Sequence, residues 1–238
     1  MPSAARSAPL RLFGPPNRLS FAGPELGESD SCAVILPDSL HRYAEGHAIP
    51  LPVRTGRSGA KGLRMRLART TPPGSYAAEL QVSGKSYPLT LDVASAPRLR
   101  IFPLSADFEG KSGGTAEVEI NFANDGNVAI AVPETVAVGI YDDHGIEAAF
   151  ADTYRQDSDN AEVLVGHWLR KLREGYGGLL KLHIVEGAGL LDPEERRVIK
   201  IRTTLPKKLK PRHSYHGIWE FGPVFYRIGV TVQQTRTT

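Results

Sequence analysis

Apolar residues recur at every second position along much of this chain. Leu63, Met65 and Leu67 alternate with Arg64 and Arg66, and Tyr76, Ala78, Leu80 and Val82 fall on one face of the next run. After a polar SGKS turn, Tyr87, Leu89, Leu91 and Val93 return with the same period. A period of two places successive side chains on opposite faces of an extended chain, so these runs predict half-buried strands. Strand-length apolar runs also occur at 32–36 and 49–53, bounded by Pro37, Pro50 and Pro52. Between them and the alternating runs lie a Gly-rich polar loop at 54–62 and a TTPPG turn at 70–74. Further on, Val118, Ile120 and Phe122 alternate with acidic and amide residues, then an NDGN turn precedes Val128, Ile130 and Val132. Asp-Gly between alternating runs is a strong turn signal.

One of these patterns is written twice. SYAAELQVSGKSYPLTLDV begins at Ser75 and SYHGIWEFGPVFYRIGVTV at Ser214, 139 residues later. Only 4 of the 19 positions are identical, but the period and the loop length are the same. The inward slots correspond as Leu80 with Trp219, Val82 with Phe221, Leu89 with Ile228 and Leu91 with Val230. Each copy follows an alternating strand and a proline-bearing loop, the second after Ile199, Ile201 and Thr203. This order resembles strands E, F and G of the immunoglobulin-like and fibronectin III-like sandwiches. Tyr76 and Tyr215 match the tyrosine that closes the E–F corner in that class. The resemblance implies an all-β protein of two tandem Ig-like antiparallel sandwiches. It is to the wider class, since the paired cysteines of antibody domains are absent.

The period changes only in the second half. Val165, Trp168, Leu169 and Leu172 have i, i+3, i+4, i+7 spacing, which predicts an amphipathic helix over about 159–174. Asp159 and Glu162 are spaced as a capping box, and Gly175 suits a helix end. The opposite face carries Arg170, Lys171 and Arg173. Such a helix buries its stripe on its own sandwich or offers it to a partner. Lys207, Lys208 and Lys210 form a basic loop suited to an acidic partner or an anionic membrane surface.

Composition narrows the function classes. The net charge is +3, too small to argue nucleic acid, and the aromatics fall mostly in inward slots rather than among the basic residues. A single cysteine, Cys32, excludes a disulfide framework and sits in a core-like apolar run. Gly110 to Gly114 contains Gly-Lys-Ser but lacks the upstream glycine of a phosphate loop and precedes a strand. His213 and His216 fall on opposite faces of a strand, and 142–145 and 157–160 read as a turn and a helix cap. His41 and His47 flank an irregular segment with Glu45, where a metal pair would need another ligand from elsewhere. No cofactor, metal site or catalytic group is expected.

The resulting expectation has three parts. Residues 1–30 form an irregular arm that partly joins domain one, 31–96 a first sandwich, and 97–234 a larger sandwich with the helix inserted. The expected function is a non-catalytic accessory or scaffolding subunit docking on a larger protein complex. Alternatives are an assembly chaperone resembling the periplasmic pilus chaperones, which bind by strand addition, and a carbohydrate-binding accessory module. No stretch near the start has the apolar core of a leader and none is long enough to span a membrane. Cytoplasm is therefore the expected compartment, or periplasm if a leader was removed.

Overall fold

The computed structural model describes residues 10–22, 31–52, 54–55, 61–156, 158–222 and 224–234. Most of the expected arm (1–9, 23–30), the Gly-rich segment 56–60, Asp157 and Pro223 lie outside them. The chain divides into two compact units. One holds residues up to Arg98 with Asn124–Ile130 and Asp192–Glu194, and the other holds the remainder.

The first unit contains β1 (Leu10–Gly14), β2 (Leu19–Ala22), β3 (Ser31–Ile35), β4 (Ala48–Pro52), β5 (Arg54–Thr55), β6 (Lys61–Met65), β7 (Gly74–Val82) and β8 (Lys85–Val93). Their order is β4-β3-β7-β8-β1-β2-β6-β5. All ladders are antiparallel except β1 on β8, where Leu10 faces Leu89 and Gly14 faces Val93. Leu12 on β1, Leu19 on β2, Val34 on β3, Leu63 on β6 and Leu80 on β7 share one aliphatic core, so the row of strands folds over on itself into two layers. The fold-over is narrow, since β1 meets β2 at a single pair, Phe13 with Ser20. Residues 10–14 and 19–22 are thus strands rather than irregular arm. Leu10 and Leu12 alternate with Arg11 and Phe13, a short period-two run masked by the prolines around it.

The second unit contains β9 (Leu99–Phe102), β10 (Ser105–Gly110), β11 (Thr115–Asn124), β12 (Ile130–Val132), β13 (Thr135–Asp142), α1 (Gly145–Tyr154), α2 (Ala161–Gly175), β14 (Tyr176–Glu186), β15 (Gly189–Leu191), β16 (Arg196–Thr204), β17 (Ser214–Phe221) and β18 (Val224–Val232). Their main order is β10-β18-β17-β13-β14-β16-β11-β9, with β12 and β15 paired apart. The trio β13, β17, β18 corresponds to the C, F and G strands of an Ig-like sandwich, and β9, β11, β16, β14 to A, B, E and D. β14 joins the layers, pairing β13 with its first part and β16 with its last. The first strand is split: β9 lies beside β11, and after Pro103 β10 runs parallel to β18. Both units are therefore Ig-like β-sandwiches, and among the described residues the α-helices are confined to the insertion between β13 and β14.

The NDGN segment does not close a hairpin. β11 pairs with β16, not with β12. Asn124 and Asn127 are buried, and Asn127 spends its amide on the backbone of the first unit. Its Nδ2 donates to Thr71 O at 3.0 Å and Ala94 O at 2.9 Å, and its Oδ1 accepts from Ala96 N at 2.7 Å. A Cβ on Gly126 would sit 2.5 Å from Arg98 N, so the glycine is required by close backbone approach rather than by a turn.

Candidate docking surface

The insertion is a pair of helices, not the single one expected. α2 covers the expected span, but its cap is Asn160, whose Oδ1 accepts from Glu162 N at 2.9 Å, rather than Asp159. Gly175 serves packing instead of a left-handed cap. A Cβ there would lie 3.1 Å from Gly145 Cα, so the start of α1 and the end of α2 touch through two glycines. Leu164, His167, Trp168, Lys171 and Leu172 are half-buried, which marks the face of α2 turned to α1. The Trp168 ring lies 5.2 Å from Phe150 of α1, and Lys171 Nζ lies 3.5 Å from Asp152 of α1.

Those two contacts give the hairpin two unlike sides. Asp152, Lys171 and Glu174 form the charged side, where the two carboxylates, Glu174 first, hold the Lys171 ammonium above its ordinary range. Across the helix interface, helical spacing puts Ile146 beside Phe150 on α1 and Val165 with Leu169 next to Trp168 on α2. These four apolar residues are 41%, 44%, 52% and 55% exposed. The apolar stripe of α2 is thus only partly covered by its own chain. Trp168 Nε1 and His167 Nε2 are buried without a hydrogen-bond partner among the described residues.

The remaining sequence-predicted site residues are placed as follows. Arg170 is exposed and touches His167 Nδ1 at 2.8 Å, and Arg173 is exposed in the last turn, where a cation suits the helix dipole. Lys207 and Lys210 are exposed, while Lys208 Nζ sits 4.9 Å above the Tyr176 ring. Leu209 between them is buried, which pins the loop to the sandwich. Tyr76 Oη donates to Pro72 O at 2.9 Å, and Tyr215 Oη accepts from Lys210 N at 3.0 Å. Both hydroxyls bond backbone a few residues upstream, the geometry of a tyrosine corner. Burial raises both phenols, with the Asp142 charge adding to the effect at Tyr215.

Two titratable groupings are at most partly legible in the chain, His41 and His47 as a pair but without Asp38. His213 Nδ1 donates to Asp142 Oδ2 at 2.7 Å, and His216 Nδ1 to Asp143 Oδ1 at 2.6 Å. The β13–β17 ladder, with Asp142 opposite Tyr215, sets both pairs, and no local spacing signals such a register. In the first unit, His41 and His47 are in contact, with Nε2 and Nδ1 2.9 Å apart, and Asp38 stands beside them. The signal that could have found it is Asp38 three residues before His41. Cys32 is buried in the core and its thiol is pushed up by desolvation.

No protein-family model matches the chain, and no curated protein matches it by sequence. Solved structures resemble it weakly. A PapD-like domain of human CEP192 is 12% identical over 58% of this chain and 87% of that one, with a TM-score of 0.32. The Dpr11 Ig1 structure bound to DIP-gamma gives 13% identity, 94% and 95% coverage, and 0.31. An I-band fragment of titin gives 10%, 96% and 62%, and 0.35. The fold assignment stands on strand order and the corner bonds.

Proposed function

We propose that this chain is a non-catalytic accessory or scaffolding subunit that docks on a larger protein assembly through the α1–α2 hairpin. One observation carries the reading: Ile146, Phe150, Val165 and Leu169 are exposed, and helical spacing gathers them on one side of the inserted helix pair. A helix pair with half its apolar stripe uncovered is costly to display, and a partner's groove removes that cost. The exposed Arg170 and Arg173 border it and favour an acidic rim on the partner. Among the described residues, no helix is long and apolar enough to cross a membrane.

The test is the Val165→Glu/Leu169→Glu double variant, C-terminally tagged and purified from its own cells beside the wild type. Both positions are more than half exposed, so circular dichroism and melting temperature are expected to be unchanged. The wild type is expected in a stable assembly of larger mass, and the variant outside it. Unaltered assembly of the folded double variant would refute docking through this hairpin.

A further inference from the structure

Three side chains in the first unit converge on one point of the loop between β3 and β4. The loop is closed at its base by Leu36 N donating to His47 O at 2.9 Å, one step beyond the last ladder pair, Ile35 with Ala48. That bond fixes His47 opposite Leu36. Asp38–Tyr43 is a 3₁₀ helix, and in a 3₁₀ helix positions three apart eclipse. Asp38 and His41 are three apart, and Asp38 Oδ1 lies 3.5 Å from His41 Nδ1. His41 Nε2 lies 2.9 Å from His47 Nδ1 and 3.1 Å from Leu36 O. One donor atom from each of Asp38, His41 and His47 lies within 4.8 Å of the other two.

Protons alone serve this arrangement poorly. Nε2 of His41 faces both a carbonyl oxygen and a second imidazole nitrogen, and a ring nitrogen carries at most one hydrogen. If that hydrogen points at Leu36 O, Nε2 has no lone pair left to accept from His47, and the contact between the two rings is left without a hydrogen bond. If His47 donates instead, Nε2 presents a lone pair to the carbonyl. A centre of positive charge placed among the acceptors answers all of them at once. Two imidazoles and a carboxylate are a donor set suited to zinc and neighbouring first-row divalent ions, and not to calcium or magnesium, which take oxygen. Ligand atoms at roughly 2.0–2.1 Å from zinc stand about 3.3 Å apart in a tetrahedron, so the His41–His47 separation needs to widen only by tenths of an ångström. The loop is surface-borne, with Asp38 and His47 exposed and His41 half-buried, so an ion has an open approach and room for water as the fourth ligand.

We propose that Asp38, His41 and His47 form a binding site for one divalent first-row transition ion of the zinc type. The full chain, stripped with a chelator and desalted, is titrated with Zn²⁺ by calorimetry, and the bound metal is counted after equilibrium dialysis. One equivalent is expected, with affinity falling as pH is lowered because protons compete for both imidazoles. His47→Ala is expected to weaken binding at least tenfold, and Asp38→Asn by roughly tenfold. The His213→Ala/His216→Ala double variant is expected to bind as the wild type does. Since His41→Ala also removes the contact to Leu36, the exposed His47 is the decisive position, checked for unchanged circular dichroism. No stoichiometric zinc in the wild type, or full affinity in the folded His47→Ala variant, would overturn the proposal.

Discussion

The two Tyr-led hairpins, β7–β8 and β17–β18, share a backbone plan and part company in what surrounds them. Leu80 and Trp219 occupy the same slot, and both are buried. Around Leu80 the core is aliphatic, whereas Trp219 packs among Phe122, Phe221 and Tyr226. The second tyrosines differ more. Tyr87 is 42% exposed, but Tyr226 is 3% exposed and donates to Pro103 O at 3.0 Å, where the first strand crosses between layers. Ala78 and Gly217 also share a slot. A Cβ on Gly217 would lie 2.5 Å from Gly139 O and 2.6 Å from Val138 Cγ1, so the second unit has no room for the methyl that the first one holds. A repeated period fixes which way side chains point. What they meet is decided by other strands.

The sharpest way to break that comparison is to exchange the small residues. Gly217→Ala is expected to destabilise the second unit by about 3 kcal/mol, because a backbone oxygen blocks the new methyl. Ala78→Gly is expected to cost the first unit only about 1 kcal/mol, through chain entropy. Chemical denaturation of each variant reads both, and equal losses would mean the slots are equivalent after all. Asn127→Ala comes next, at about 2 kcal/mol, since three backbone groups lose their partner.

The tyrosines sharpen the comparison further. Tyr76→Phe and Tyr215→Phe are each expected to cost about 1 kcal/mol, one corner bond apiece. Tyr226 carries an additional signature. Burial, with help from the Asp107 charge, pushes its phenol up to about 12. Its folded value is raised, so its stabilisation is whole below the ordinary phenol range near 10 and declines as pH climbs from there towards 12. Tyr226→Phe is therefore expected to flatten the alkaline loss of stability in the second unit, read by chemical denaturation across about pH 9–12.

The smallest effect is at the acid end, at a slot that the two hairpins fill differently. The slot filled by Asp92 in β8 holds Thr231 in β18. The Ser75 hydroxyl, at 2.5 Å, and then Arg11 hold the Asp92 carboxyl below its ordinary range. A lowered folded value gives stabilisation that is present above the ordinary carboxylate range and lost as pH falls through and below it. Asp92→Asn is expected to remove that dependence with a change under about 1 kcal/mol at neutral pH, as the Arg11 end of the pair is exposed.

The sequence reading reached as far as local periodicity reaches. Both hairpins, the strands before them and the span of α2 follow from spacing that neighbouring residues share. α1 is hidden in the sequence because its Ile146, Phe150 and Tyr154 follow an Asp-Asp-His-Gly run that reads as a turn. The Asn127 bonds, the β12–β15 pairing and the two histidine–aspartate pairs join residues tens of positions apart, and only the register of distant strands brings them together. On α2, spacing placed Val165, Trp168, Leu169 and Leu172 on one stripe; the structure turns Trp168 and Leu172 towards α1, leaves Val165 and Leu169 exposed, and sets the exposed Ile146 and Phe150 on α1.

The most direct test is a photo-crosslinking residue placed at Leu169 on the insertion and, separately, at Tyr87 on the corresponding hairpin of the first unit, in the protein's own cells. Discrete adducts to the same partner from position 169, with none from position 87, are the predicted result. Adducts from position 87 alone, or none from position 169 with the chain running as a 25.9 kDa monomer, would contradict docking through the α1–α2 hairpin.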